Sequence, residues 1–372
     1  MNLSYWEQQS WLTNVDHTII GSGIVGLNTA LRLREKFPKA NILILERGFL
    51  PNGASTKNAG FACFGSLSEI LDDLNSHSEE EVVQLIQKRV DGLNLLRKTL
   101  GDDSIDFNLW GGYELFTPED RSLLEECQVK MDYVNNLLHP VFNENVFTSG
   151  SNKFNFKNIE NAVIFNKFEG QINTGKMMEA LLQKALNAGI KILNNISVEE
   201  FLEGNSSVKI KTDQFEFSTK KLLIATNGFA AQLGLESVKP ARAQVLITKP
   251  IENLKIQGTF HLDKGFYYFR NIDNRILLGG GRNLDLKSEE TTTLGETALI
   301  QNKLETLLRE SILPDTDFEI DSRWSGIMGV GVQKKPIVKQ LSNNTFCGVR
   351  LGGMGVAIGS LVGRELADLI PN

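Results

Sequence analysis

The chain has 372 residues, 41% of them apolar, and a net charge of −6. This length predicts two domains, because a single core rarely grows beyond roughly 250–300 residues. The acidic balance argues against a nucleic-acid-binding protein, since such proteins are recognised by a basic patch. Three cysteines without metal-ligand spacing predict neither a disulfide framework nor a metal site. With no signal peptide and no apolar run of about 18 residues, we expect a cytoplasmic protein without a membrane span.

The first fifty residues predict one βαβ unit. A strand over 17–21 precedes a helix over about 23–37, and a second strand follows over 41–46. That second strand, NILILE, is an almost continuous apolar run, which is typical of a parallel strand covered on both faces. Further helices are predicted over 79–101, 117–140 and 175–189, and the strand KLLIATNG returns to parallel structure.

The second half of the chain changes character. From residue 241 to 281 the strands AQVLITKP, GTFHL, GFYYFR and RILLGGG follow one another without helices. A long helix is predicted over about 288–311, and RLGGMG precedes a last helix that ends at Ile370. The pattern predicts an α/β plus α+β fold: a discontinuous Rossmann-like domain with an inserted antiparallel-sheet substrate domain. We assign residues 1–75, 150–235 and 320–372 to the first domain, and 76–149 and 236–319 to the second.

The sequence GSGIVG, between the first strand and helix, has the spacing GxGxxG of dinucleotide-binding turns. Gly21 allows a tight exit from the strand, Gly23 lets the backbone approach a pyrophosphate, and Gly26 lets the helix pack on the sheet. Glu46 ends the next strand, where a ribose-binding carboxylate is expected. No GK[S/T] follows, so a P-loop is excluded, and NAD and FAD both remain. The predicted nucleotide-binding residues are Gly21, Ser22, Gly23, Ile24, Val25, Gly26 and Glu46.

The residues after Glu46, RGFLPNGASTKNAGFACFG, resemble the FAD-dependent oxidoreductases of the D-amino-acid oxidase superfamily. They are similar to the branch with glycine oxidase, sarcosine oxidase, γ-glutamylputrescine oxidase and D-amino-acid dehydrogenase. KLLIATNGFAAQL and the closing segment from RWSG to RLGGMGV extend the resemblance over nearly the whole chain. It implies non-covalent FAD, because no cysteine lies where relatives attach flavin. The further FAD-binding residues that it implies are Arg47, Ala54, Ser55, Thr56, Lys57, Asn58, Ala59, Gly60, Val198, Ala225, Thr226, Asn227, Gly228, Gly326, Gly352, Gly353, Met354, Gly355 and Val356.

The resemblance also implies a reaction, oxidation of the C–N bond of a small amine or amino acid. Hydride would pass to flavin N5, the imine would be hydrolysed, and oxygen or another acceptor would take the electrons. Because an arginine with tyrosine hydroxyls can clamp a carboxylate, Tyr267, Tyr268 and Arg270 are candidate substrate-binding residues; burial within an alternating strand is the alternative. We nominate no catalytic residue, since His17, His77, His139 and His261 share no motif with an acid or nucleophile.

Several positions depart from the family's pattern. Ile327 and Met328 follow WSG where glycine-oxidase-like members carry arginine, and Met354 stands in place of a common histidine. Leu277 and Ala357 occupy positions where sarcosine oxidases carry lysine. These departures leave open whether oxygen is the acceptor and whether an α-amino acid is the substrate. The alternatives are a 2-hydroxy-acid dehydrogenase, a flavin subunit of a larger dehydrogenase complex, and a non-catalytic dinucleotide sensor.

Overall fold

The structure is a computed structural model that describes residues 3–371. In that range the α-helices are α1 (Tyr5–Glu7), α2 (Ile24–Lys36), α3 (Ala54–Lys57), α4 (Leu67–Leu74), α5 (Glu79–Leu100), α6 (Arg121–Phe142), α7 (Thr174–Asn187), α8 (Ala298–Leu307) and α9 (Gly355–Asp368). The strands are β1 (Val15–Ile20), β2 (Ile42–Leu45), β3 (Phe61–Ala62), β4 (Gly112–Glu114), β5 (Phe147–Ser151), β6 (Ala162–Asn166), β7 (Gly170–Gln171), β8 (Lys191–Leu193), β9 (Val198–Glu203), β10 (Val208–Thr212), β11 (Glu216–Ile224), β12 (Lys239–Thr248), β13 (Thr259–Leu262), β14 (Tyr267–Ile272), β15 (Arg275–Gly280), β16 (Ile320–Val330), β17 (Ile337–Gln340) and β18 (Thr345–Val349).

The first sheet is centred on β1, which lies between β11 and β2 and is parallel to both. Its order is β17-β18-β11-β1-β2-β8, and β10 and β9 extend from β11 as antiparallel strands. β1 and β2 are buried along almost their full length, as expected of parallel strands covered on both faces. The predicted βαβ unit of β1, α2 and β2 is therefore confirmed.

Two glycine contacts let the helices beside this sheet approach closely. A Cβ on Gly363 of α9 would lie 2.6 Å from the carbonyl oxygen of Val25 in α2. A Cβ on Gly92 of α5 would overlap the carbonyl oxygen of Ala357 in α9. The C-terminal helix is thereby held against both α2 and α5.

The second sheet has the order β16-β12-β15-β14-β13-β4-β6-β5 and is antiparallel except where β13 meets β4. Side chains alternate along β14. Tyr267 and Phe269 belong to the core formed with α8, whereas Tyr268 and Arg270 lie on the opposite face. That opposite face packs on the 54–60 segment of the first half, because the side chain of Arg270 bonds to the backbone of Ala59.

Two differences from the predicted architecture have physical causes. The helix predicted over 288–311 begins only at Ala298 and continues as a π-helical turn at Leu308–Ile312. Three consecutive threonines (291–293) and Gly295, whose φ is +134°, precede it, and β-branched residues and glycine both disfavour a helix. In addition, β6 and β16 pair within the second sheet, although we assigned residues 150–235 and 320–372 to the Rossmann-like domain. The domain boundaries stay a prediction.

Within residues 3–371, no helix combines the length and the apolar character needed to cross a bilayer. The cysteines Cys63, Cys127 and Cys347 are buried free thiols. Burial raises the pKa of all three, and that of Cys63 lies well above its usual range.

Candidate active site

A continuous cavity of about 610 Å³ reaches from the glycine turn of the first sheet to the face of the second sheet that carries Tyr268. Cavities of this size are typical of cofactor and small-molecule sites. All but four of the residues predicted to bind FAD line it. The four that lie behind the lining are Ser22, Gly26, Thr56 and Gly228.

The glycine turn has no room for side chains. Gly21 has a φ of +102°, and a Cβ there would lie 2.9 Å from the carbonyl oxygen of Ala225. A Cβ on Gly23 would lie 2.7 Å from Ser55 Oγ, and one on Gly26 would overlap the carbonyl oxygen of Gly21. The turn therefore presents bare backbone to the cavity at the N-terminus of α2, where helix N–H groups lack intrahelical acceptors.

Glu46 holds this turn in place from the end of β2. Its carboxylate is 5% exposed, and Oε2 accepts hydrogen bonds from Ser22 N at 3.1 Å and Ser22 Oγ at 2.7 Å. Oε1 accepts from Gly48 N at 2.9 Å. Ser22 does not line the cavity itself, but its two hydrogen bonds fix the position of Glu46, which does. Beside it, the guanidinium of Arg47 stacks 3.5 Å from the ring centroid of Phe229.

The 54–60 segment bridges the two sheets. Ser55 Oγ accepts a hydrogen bond from Ile24 N at 2.9 Å, which ties the segment to the start of α2. From the second sheet, Trp324 Nε1 donates to the carbonyl oxygen of Lys57 at 2.9 Å, and Arg270 Nε donates to that of Ala59 at 2.5 Å. Thr56 Oγ1 donates to the carbonyl oxygens of Pro51 and Gly53, which explains its place behind the lining.

The ATNG turn and the C-terminal glycines form one connected wall. Asn227, with a φ of +44°, accepts hydrogen bonds through Oδ1 from Arg350 N and Leu351 N, both at 3.1 Å. These two residues lead directly into Gly352 and the start of α9. A Cβ on Gly228 would lie 2.5 Å from the carbonyl oxygen of Met328, so this glycine lets the turn pack on β16.

The second sheet brings only one of the three candidate substrate residues to the cavity. Tyr268 lines it, and burial raises its pKa to about 12. Tyr267 packs into the core on the far face, and Arg270 is 2% exposed beneath Ala59. Burial lowers the pKa of Arg270 to about 10. The expected clamp of an arginine and two tyrosines is therefore wrong in its geometry.

Of the positions that depart from the family's pattern, some line the cavity and one is buried below its wall. Ile327, Met328 and Met354 line the cavity and give it an apolar surface there. Leu277 lies below the lining, in a buried cluster with Ala59 and Val245.

The sequence analysis missed a set of cavity residues on the side of the second sheet. The aromatic ring of Phe61 packs edge-on against both His261 and Tyr268, with centroid distances of 5.3 and 5.5 Å. Nε2 of His261 lies 2.5 Å from Oε1 of the buried Glu169. No local motif connects these two residues, because 92 positions separate them in the chain. The other missed residues that we discuss are Cys63, Glu69, Asp73, Arg89, Lys264 and Lys334.

A glycine turn on a βαβ unit, joined through one cavity to an antiparallel sheet, is the arrangement expected of flavin enzymes. The chain belongs to the FAD dependent oxidoreductase (DAO) family, whose model matches residues 16–369. It is thus an FAD-dependent oxidoreductase.

Three relatives illustrate the match. Probable oxidoreductase OrdL of Haemophilus influenzae is 21% identical over 374 residues, which cover 96% of this chain and 84% of the relative. Gamma-glutamylputrescine oxidoreductase of Escherichia coli is 22% identical over 380 residues, covering 95% and 83%. The structure of glycine oxidase from Geobacillus kaustophilus superposes with a TM-score of 0.76 at 20% identity, covering 95% of this chain and 94% of that one. The fold is therefore shared along the whole chain.

Proposed function

We propose that this enzyme oxidises the C–N bond of a small amine or amino acid and that the resulting imine is hydrolysed. The observation that carries the proposal is the continuity of the cavity, which joins the glycine turn to the Tyr268 wall. When bound, FAD supplies the acceptor for a hydride from the carbon next to the nitrogen. The amine and amino-acid substrates named in the glycine oxidase and gamma-glutamylputrescine oxidoreductase relatives support this substrate class.

The chain's own residues would first hold the cofactor without a covalent bond. The bare backbone of Gly21 and Gly23 and the N-terminus of α2 suit the diphosphate. Glu46 has lone pairs left after its three short hydrogen bonds to Ser22 and Gly48, so it can also accept from a ribose hydroxyl. At the other end, the N-terminus of α9 would place its positive dipole next to the flavin ring, where reduction adds negative charge.

The remaining cavity wall would orient the substrate and exclude water. Phe61, Val245 and Tyr268 form an apolar surface on one side, and Ile327 and Met328 continue it. Hydride transfer depends on the distance and direction of the C–H bond more than on a dedicated base. A dry, apolar wall serves that purpose.

Oxidation of a 2-hydroxy acid would need a base for the hydroxyl proton. His261 lines the cavity wall and forms an ion pair with Glu169. Burial would lower its pKa, but the charge and hydrogen bond of Glu169, together with the charges of Glu69 and Glu114, raise the pKa to about 9 and favour the protonated form. An imidazolium cannot take a proton, so the amine proposal is preferred.

The test is an anaerobic titration of the FAD-loaded enzyme with amines, D- and L-amino acids and 2-hydroxy acids. We expect the flavin absorbance near ~450 nm to disappear with an amine or amino acid and to persist with hydroxy acids. Re-aeration then separates an oxidase from a dehydrogenase by the rate at which the absorbance returns. Bleaching by hydroxy acids alone, or by none of these compounds, would contradict the proposal.

A further inference from the structure

His261 is held rigidly on the cavity wall. It lies opposite Tyr268 in the pairing of β13 with β14, and Phe61 packs edge-on against both rings. Its side chain is 7% exposed and lines the cavity. The imidazole therefore has one fixed orientation and one accessible edge.

The imidazole of His261 packs against the buried carboxylate of Glu169. Glu169 is 1% exposed, and its Oε1 accepts from Thr259 Oγ1 at 2.8 Å and lies 2.5 Å from His261 Nε2. A Cβ on Gly112 would overlap the Glu169 carboxylate, so the glycine makes room for it. Within residues 3–371, His261 is the one cation paired with this acid. A buried carboxylate needs a compensating charge, and the imidazolium form of His261 provides it.

The pairing leaves the second ring nitrogen of His261 for a ligand. Nε2 is engaged by Glu169, so the proton on Nδ1 points away from the acid. In the described part of the chain, Nδ1 has no hydrogen-bond partner, and it is not among the fully buried polar atoms. Since His261 lines the cavity, a charged N–H donor without an acceptor lies on the cavity wall.

Two more carboxylates act on His261, and both already have donors. Glu69 of α4 accepts a hydrogen bond from Ser66 N at 2.9 Å. Glu114 of β4 accepts from both the N–H and the hydroxyl of Ser68, and burial raises its pKa. These acids favour the imidazolium form without occupying Nδ1.

Two lysines at this end of the cavity are also paired. Lys334 forms an ion pair with Asp73, and Lys264 forms one with Asp72 at 3.2 Å. None of these lysines neutralises Glu69 or Glu169 in the described range.

Arg89 is a second buried cation on the same wall. It is 5% exposed, its Nη1 donates to the carbonyl oxygen of Phe64 at 2.7 Å, and its Nε is buried without a partner. Burial lowers its pKa, with Glu69 and Asp73 opposing the change. At this end of the cavity, therefore, the neighbouring carboxylates have donors, whereas Nδ1 of His261 has no acceptor. That asymmetry fits an anionic group on the ligand.

We propose that His261, positioned by Glu169, binds the carboxylate of the substrate through Nδ1. The role that the sequence assigned to Arg270 thus belongs to a histidine on the neighbouring strand. The inference rests on the proposed function, because it assumes that substrate enters this cavity. It restricts the substrate to an amine that also carries a carboxylate, and it predicts poor turnover of the corresponding decarboxylated amine.

The test uses the FAD-loaded enzyme and a non-reacting probe. Sodium acetate and its neutral analogue acetamide are titrated calorimetrically at constant ionic strength into the wild type and the variant His261→Gln. Glutamine can still donate to Glu169 but offers no cationic second donor. We expect acetate to bind the wild type, acetamide not to bind, and the variant to lose at least about tenfold in acetate affinity, as for a charge-assisted hydrogen bond. His139→Gln, on the exposed side of α6, is the matched control and should bind acetate like the wild type.

The pH dependence of acetate binding to the wild type tests the role of His261 even if the His261→Gln variant does not fold. Acetate affinity of the wild type should fall as the pH rises through about 9, where His261 loses its proton. In Glu169→Gln, which keeps a hydrogen-bonding group but removes the charge, the fall should occur at lower pH. A purely structural role for the pair would not move this midpoint.

The outcomes separate this inference from the proposed function. Equal acetate binding by wild type and His261→Gln, or binding that is independent of pH from about 7 to 10, would overturn the inference. So would a wild type that binds no acetate while an amine still bleaches its flavin; the proposed function would then stand alone. Conversely, acetate binding that depends on His261, with no bleaching by any amine, would support the anion site and contradict the proposed function.

Discussion

The two ends of the cavity are assembled in different ways. At the nucleotide end, Gly21, Gly23 and Glu46 lie within one βαβ unit, and the surface they present is largely backbone. At the other end, which we propose binds substrate and call the substrate end, Glu169 and His261 come from distant parts of the chain, and the surface consists of side chains. Backbone surfaces require glycine at fixed spacing, whereas a side-chain surface can be built from any elements that meet in space. The first end therefore has a signature in the sequence and the second has none.

The largest effect should come from adding one methyl group at the nucleotide end. In Gly26→Ala the Cβ would overlap the carbonyl oxygen of Gly21, which is backbone and cannot rotate away. Either α2 moves off the sheet or the turn opens, and overpacking of this kind costs about 3 kcal/mol. We expect the urea midpoint of unfolding to fall and the purified protein to lose most of its FAD.

Gly204→Ala is the matched control for this substitution. A Cβ on Gly204 would lie 3.5 Å from the carbonyl oxygen of Ser207, an ordinary contact, so its stability should change by less than about 0.5 kcal/mol. If Gly26→Ala matched this control in its urea midpoint and in its bound FAD, the nucleotide end would not depend on bare backbone.

The elements of the fold that the sequence predicts best are those governed by local pattern. The apolar run of β2 and the glycine turn before α2 identify the βαβ unit from adjacent residues alone. Sheet membership is different, since β16 joins the second sheet by pairing with β12, far away in the chain. Periodicity reports which residues are extended, but it carries no information on their partners. For this reason the sequence identifies extended segments better than it identifies the sheet to which each of them belongs.

The same limit explains the substrate end. Alternation along β14 correctly places Tyr268 and Arg270 on one face. It does not reveal that the guanidinium of Arg270 donates a hydrogen bond to the carbonyl oxygen of Ala59. Nor does it reveal that Glu169 forms an ion pair with His261. The first contact depends on how the two sheets pack, and the second depends on how β13, β4 and β6 pair within the second sheet. A single sequence encodes neither arrangement in a local motif.

A second prediction contrasts two buried histidines, one in each sheet. His17 lies in β1 and is 6% exposed, and its Nδ1 is buried without a partner. Burial lowers its pKa to about 4, despite the neighbouring charge of Asp16. Because the unfolded chain binds this proton more readily, stability should fall by about 2 kcal/mol from about pH 7.5 to about pH 5. His261 has the opposite sign: its contribution is present below about pH 6.5 and is lost as the pH rises through about 9.

Urea unfolding at a series of pH values measures both slopes. The difference between wild type and His17→Gln isolates the acid slope, since glutamine does not titrate and other groups act equally in both proteins. His139→Gln again serves as the control, because His139 is exposed. An unchanged acid slope in His17→Gln would show that His17 is not held neutral by burial.

The smallest effect that we predict is from Glu46→Gln. An amide can direct its oxygen toward Ser22 or toward Gly48, but not toward both, so one N–H donor that now bonds to Glu46 would face an NH₂ group. We expect FAD affinity to fall about tenfold, equivalent to about 1.4 kcal/mol, as measured by flavin fluorescence on titration. The exposed Glu35→Gln, which breaks only a surface pair with Arg32, should leave the affinity unchanged. Once FAD is saturating, acetate binding to Glu46→Gln should equal that of the wild type, because the backbone of the turn still positions the cofactor. A loss of acetate binding there would mean that the two ends of the cavity are coupled and that the contrast between them is incomplete.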